Sequence, residues 1–347
     1  SRATGTEIGS LTQSMSLNGG VLNTGRALDA AIDGRGYFVT RDAQNTMNYS
    51  RVGIFSASSD GKLIDANGRL VQGYASVKGS TTLGTMGDML IPTGQIPAVA
   101  STKLAYAANM SSEWAVKTPA FDKTNELSYN SAKSSIVYDS LGAKHSLGQY
   151  FVKTVTGVDV HYTFDNADVT PVTSMTFDTN GKLVTGTSAS PVLPTPPGAA
   201  ALTIAIDYTG TTQFAGEATT STDRADGYAS GTYTGVELAD DGSVVAKYTN
   251  GQKQSIGVIA LATFPDEGAL TAVNDTSWVA STTSGTAMYD RPGVGMAGKL
   301  VTSSLEQSNV DITSELVGLM TSQRNYQANS KVISTENAML QSLMQAL

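Results

Sequence analysis

Residues 311–347 constrain this chain more than any other stretch, because they hold no Pro, one Gly (Gly318) and an unbroken helical period. Asp311 is placed to cap the helix N-terminus, and Glu315 stands in the first turn where its charge complements the dipole. At about 1.5 Å per residue such a helix is roughly 55 Å long. Leu319, Tyr326, Ile333, Leu340 and Leu347 recur every seventh residue, with Leu316 and Met344 beside them. This is one seam of a heptad pattern, and a seam needs a partner helix. The alternate seam positions Gln323, Ser330 and Asn337 are polar and uncharged, while Val317, Val332, Met339 and Leu343 put apolar surface on other sides. A helix packed among several neighbours would bury both sets, so the terminus predicts self-association. The simpler alternative is a helix packed on its own domain, but no other stretch reads as a helix of comparable length.

The rest of the chain reads as β. Gly is abundant at 35 of 347 residues, and turn dipeptides recur: Asp60-Gly61, Asn67-Gly68, Asn180-Gly181, Asp241-Gly242 and Asn250-Gly251. Each supplies the positive φ that a two-residue hairpin loop needs. Strand-like runs flank them, with residues 61–64 answered by 69–71 and residues 244–248 by 254–264. Composition shifts at residues 91–97 and again at 222–227, which predicts two crossings between domains. The stretch between holds strand-like runs at 134–138, 150–154, 158–164, 174–177 and 202–208, interrupted by a Pro-rich loop at 191–198. The expected fold is mainly β with a long terminal α-helix. Two antiparallel β domains stand in a rod-like arrangement, the outer one, a small sandwich or barrel, inserted in the inner. The expected boundaries are 1–99 with 223–304 for the inner domain, 100–222 for the outer domain and 305–347 for the axial helix.

Several functions are disfavoured. A net charge of -8 with no Lys/Arg cluster opposes nucleic-acid binding. With no Cys there is no disulfide framework or thiolate metal site, which suits a protein exported unfolded. No apolar run approaches the roughly 20 residues that span a bilayer, so membrane insertion is not expected. The N-terminus carries no basic-then-apolar signal, and Ser1 in place of Met predicts a fragment lacking its true start. Charged residues are only 15% of the chain, and large protein interfaces would account for that shortage.

Residues 293–299 mimic a phosphate loop, but Leu300 stands where a magnesium-binding hydroxyl is required, so a turn or an extended linker is expected. His161 shares a strand's outer face with Asp159 while Val158, Val160, Tyr162 and Phe164 point inward, which predicts a solvated His. His145 follows Gly142-Ala143-Lys144 and is expected in a turn. Asp240-Asp241-Gly242 lacks the spaced oxygens of a calcium loop and reads as a hairpin turn. Trp114 and Trp278 are expected in cores. No catalytic residue, cofactor or metal ligand emerges.

Two blocks carry a family resemblance. Ser308-Asn309-Val310-Asp311-Ile312-Thr313-Ser314-Glu315-Leu316-Val317, followed by Ser322-Gln323-Arg324-Asn325-Tyr326-Gln327-Ala328-Asn329, resembles the C-terminal signature of the bacterial flagellar rod and hook axial proteins. Thr24-Gly25-Arg26-Ala27-Leu28-Asp29-Ala30-Ala31-Ile32-Asp33-Gly34-Arg35-Gly36-Tyr37-Phe38-Val39 resembles the segment by which that family enters its first β domain. The resemblance implies an N-terminal helix pairing with the C-terminal one inside an axial structure. Distal rod subunits have a compact middle, whereas residues 100–222 are similar to the hook branch's outer β domain. The implied function is therefore structural. The chain would polymerise with itself into the flexible extracellular joint passing torque from rod to filament, after export without a cleaved signal peptide. The implied partners are distal rod and hook–filament junction proteins, the hook cap and the flagellar export apparatus. The rivals are a distal rod subunit and, from another class, a secreted β-rich adhesin.

Overall fold

The computed structural model describes residues 18–77 and 82–345. Leu347 and the expectations for the N-terminal residues lie outside the described residues. The chain divides into two compact units. One takes the chain up to Pro92, Val236–Ala246 and everything from Gln254 on; the other takes Thr93–Gly235 and Lys247–Lys253.

In the first unit, strand Tyr37–Arg41 pairs antiparallel with Met47–Ser50 and with Leu70–Ser76, and Leu70–Ser76 pairs with Lys253–Ile259 and Leu83–Asp88. Tyr37, Val39, Tyr49, Ala260, Ala262, Phe264 and Leu270 form a core with Trp278 packed against it. The aromatic rings meet edge to face, Tyr49 with Phe264 at 4.8 Å and Tyr37 with Trp278 at 5.8 Å, the geometry that ring quadrupoles favour. Strand Ala30–Asp33 pairs with Lys299–Thr302, and Val21–Asn23 pairs with Ser304–Glu306. The Thr24–Val39 motif therefore supplies a core strand and the strand that meets the chain returning to the helix.

The second unit has a five-stranded antiparallel sheet, in chain order Ser131–Tyr138, Lys144–Lys153, Val158–Phe164, Ala167–Phe177 and Leu183–Thr185. A four-stranded sheet runs Ser188–Ala189, Ala205–Asp207, Lys103–Ala108, Thr220–Ala225. Both face one core, where Val158, Val160, Tyr162 and Phe164 alternate inward as their spacing predicts. Trp114 is partly buried against it.

The turn glycines are where the dipeptides put them, but the loops are one residue longer than expected. One five-residue loop recurs at residues 42–46, 58–62, 65–69, 139–143, 178–182, 239–243 and 248–252. Its first N–H donates to the fifth carbonyl, and its fourth N–H donates to the first carbonyl. Only the fourth residue has positive φ, Asn45 at 68° and the glycines between 73° and 83°. This is a type I turn closed by a left-handed residue, so the Asp or Asn before the Gly stays right-handed. Where the loop opens with Asp, its carboxylate accepts two further N–H groups, as Asp65 does from Asn67 and Arg69 at 2.9 and 2.8 Å. The two-residue loop does occur, at Asp165-Asn166, where both φ are positive and Phe164 pairs with Ala167. The glycine-rich residues 293–299 form a turn, with Gly293 N donating to Gly298 O at 2.8 Å.

Candidate assembly surface

The helix runs Ile312–Gln345. Asp311 caps it as expected: Oδ1 accepts from Thr313 N at 2.9 Å, and Oδ2 accepts from Ser314 Oγ at 2.9 Å. These bonds satisfy N–H and O–H groups of the open first turn and hold the Asp311 carboxyl below the ordinary range, Ser314 contributing most.

Every residue from Ile312 to Gln345 is exposed. Leu319, Ile333 and Leu340 keep 55%, 54% and 55% of their surface open, and Leu316, Tyr326 and Met344 are exposed with them. Fully burying one such side chain is worth about 1.5–3 kcal/mol, so a row of them left in water is a large unspent driving force. At 3.6 residues per turn Ala328, Val332, Thr335 and Met339 form a second strip roughly opposite Tyr326 and Ile333. Lys331 and Glu336 flank this strip, and all six residues are exposed. The helix thus presents apolar surface on two sides.

His161 lies on the strand face the sequence gives it, but neither histidine has the surroundings expected. His145 lies on strand Lys144–Lys153 instead of in a turn, with Nε2 3.1 Å from Asp139 Oδ2 and Nδ1 2.6 Å from Asp165 Oδ2. His161 is half-buried rather than solvated, its ring stacked on Phe121 at 4.1 Å, and burial lowers its pKa. His145 is held by the loop of its own hairpin and by the loop of the next, and His161 by the more distant Phe121, none of which strand alternation shows. Among the described residues no three His, Asp or Glu side chains are grouped to hold a metal ion. No described helix is long and apolar enough to cross a membrane.

Over 352 aligned residues the chain is 33% identical to the flagellar hook protein FlgE of Salmonella typhimurium, covering 98% of this chain and 87% of that one. The chain belongs to the flagellar hook protein family. The Escherichia coli hook protein FlgE is 32% identical over 350 residues, and that of Treponema pallidum is 29% identical over 381. Residues 31–104 match the flagellar hook protein FlgE/F/G D1 domain, 108–228 the flagellar basal body protein FlaE D2 domain, and 301–346 the flagellar basal body rod FlgEFG protein C-terminal. In fold, the chain is similar to the crystal structure of Helicobacter pylori flagellar hook protein FlgE2. The TM-score is 0.59 at 12% identity, across 82% of this chain and all of the other. As a hook-family member it is a structural subunit of the flagellum that polymerises with its own kind, and it is not an enzyme.

Proposed function

We propose that the hook polymer is held together through the helix, with Leu316, Leu319, Tyr326, Ile333, Leu340, Met344 and Leu347 as its packing seam. The observation that carries this is the exposure of Leu316, Leu319, Tyr326, Ile333, Leu340 and Met344 in the isolated chain. A partner helix in register would bury that row, and repetition along a tube would multiply the gain. The β domains, bounded at about residues 99/100 and 222/223, would make the outer contacts. Exposed Ser, Thr, Asn and Gln suit contacts that slide, because neutral polar pairs exchange with water at small net cost.

Such a tube bends while passing torque from rod to filament, and its ends require junctions with rod and hook–filament proteins and a cap during growth. Export through the flagellar apparatus without a cleaved signal peptide fits a chain free of Cys. Electron microscopy of the full-length purified chain tests the reading. Curved tubes are expected; straight tubes would point to a rod subunit, and no polymer would overturn the proposal.

A further inference from the structure

Arg51 follows the core strand Met47–Ser50 and holds a carboxylate some 250 residues later in sequence. Nε donates to Glu306 Oε2 at 2.8 Å. Nη1 donates to Gly34 O at 2.8 Å and Gly36 O at 2.9 Å, and Nη2 donates to Ile32 O at 2.8 Å. The two side chains are mostly buried, 18% and 12% exposed. Glu306 uses its other oxygen, Oε1, to accept from Gly19 N at 3.1 Å.

Glu306 closes the strand that leads to the helix, and Gly19 lies just before the strand Val21–Asn23. The two strands are antiparallel with Val21 opposite Glu306, so both chain segments leave the ribbon at the same end. Beyond it Gln307 N donates to Gly20 O at 2.7 Å. A Cβ on Gly19 would stand 1.6 Å from Gln307 O, so the two segments touch as closely as only glycine allows. From Gln307 on, the described chain is exposed. A load that pulls either segment opens this ribbon from the Val21–Glu306 end, where the Arg51 clasp sits.

We propose that Arg51 and Glu306 are the positioning pair through which load on the helix enters the first β unit. A guanidinium suits this place because its planar fork can serve three backbone carbonyls and a carboxylate at once, and a lysine ammonium cannot. The ribbon alone offers a three-residue ladder; the clasp ties it to residues 32–36 and so to the core. This inference rests on the helix being the axial element.

The test uses hooks assembled from full-length chains carrying Arg51→Lys or Glu306→Ala. Arg41→Ala is the control, because it breaks a comparable ion pair with Asp88 inside the same unit. Variants are matched by melting temperature and hooks are loaded by rotating tethered cells in media of rising viscosity. Tubes are expected in all three. The load at which hooks fail should drop severalfold for Arg51→Lys and Glu306→Ala and stay at the wild-type value for Arg41→Ala. Tubes that fail at wild-type load, or that fail equally for Arg41→Ala, overturn the pair's role. An absence of tubes even from the wild-type chain overturns instead the reading of the helix. Hydrogen exchange on the unassembled chain provides a second measurement. Glu306→Gln should speed exchange at Gly19 and Gln307 but not at Ile259 or Ala262, and unchanged rates at Gly19 and Gln307 overturn the clasp.

Discussion

His145 and Asp165 lie 2.6 Å apart across two hairpins of the second unit, and the opposite edge of the same imidazole reaches Asp139 at 3.1 Å. Asp139 opens one loop, accepting from Leu141 and Ala143, and Asp165 forms the other, accepting from Ser146 N. Both imidazole nitrogens can donate only when the ring is charged.

The pH dependence follows from that geometry. Burial alone pulls the His145 pKa down, but the hydrogen bonds and charges of Asp165 and Asp139 outweigh it and raise the pKa above the ordinary value. Asp139 is lowered chiefly by its bond to His145. Asp165 is lowered too, although burial opposes it, by its bonds to His145 and Ser146 N. A raised histidine stabilises fully below its unfolded pKa of about 6.5, and this is lost as pH climbs through the folded value. The lowered carboxyls stabilise above about 3.9, and this is lost as pH falls through their folded values. The triad therefore helps most between about pH 4 and 6.5. Thermal melts of the wild type and His145→Asn across pH 4–9 should differ most in that window and converge above it. A constant difference would assign His145 to packing alone.

Tyr208 is fully buried, donates to Gln149 Oε1 at 2.6 Å and accepts from the Tyr162 hydroxyl at 2.9 Å, which in turn lies 2.9 Å from Thr173 Oγ1. Gln149 Nε2 already has no hydrogen-bond partner. Tyr208→Phe would strip Gln149 Oε1 as well, leaving a buried amide wholly unpaired, at a cost of about 1–3 kcal/mol. Denaturant melts should show that loss. The double variant Tyr208→Phe with Gln149→Leu should recover part of it, because apolar groups then replace both partners.

The second unit should fold when excised. Its ends meet: Leu104 pairs with Ala225, Val99 bridges Tyr228, and Asp226 accepts from Thr102 N at 2.7 Å and Lys103 N at 2.9 Å. A piece spanning residues 98–229 therefore keeps its closing strands together and its core residues whole. One cooperative thermal transition is expected; gradual melting without a transition would show that it depends on the rest of the chain.

What could be read from the sequence was local. The five turn glycines, the Asp311 cap and the inward row Val158, Val160, Tyr162 and Phe164 each depend on a few neighbouring residues, and all occur as their chemistry requires. Loop length was misjudged because Asn-Gly and Asp-Gly serve both two- and three-residue hairpins, and only the closing bonds distinguish them. The His145 bridge, the Phe121–His161 stack and the Arg51–Glu306 clasp join residues 6 to 255 positions apart. Strand periodicity assigns faces, but it does not say which distant loop covers a face. The apolar row of the helix was legible, since period alone defines it; the partner proposed for it belongs to another chain, which no local pattern specifies.

Tyr326→Asp or Ile333→Asp should abolish tube formation while leaving both β units folded. In this chain both side chains are exposed, so a carboxylate there stays in water and costs the monomer almost nothing. Circular dichroism melts of the β units should therefore match wild type closely. In a packed helical layer the same carboxylate would be buried without a partner, at a cost of at least about 3 kcal/mol per subunit. Every subunit of the tube carries that cost, so partial assembly is not expected at ordinary concentrations. Arg324→Ala is the control: Arg324 is exposed and projects away from the Tyr326–Ile333 row, so its loss should slow or weaken assembly at most. Normal tubes from the Asp variants would show that the row is not a packing seam. Unfolding of the β units would show that the helix stabilises its own chain instead.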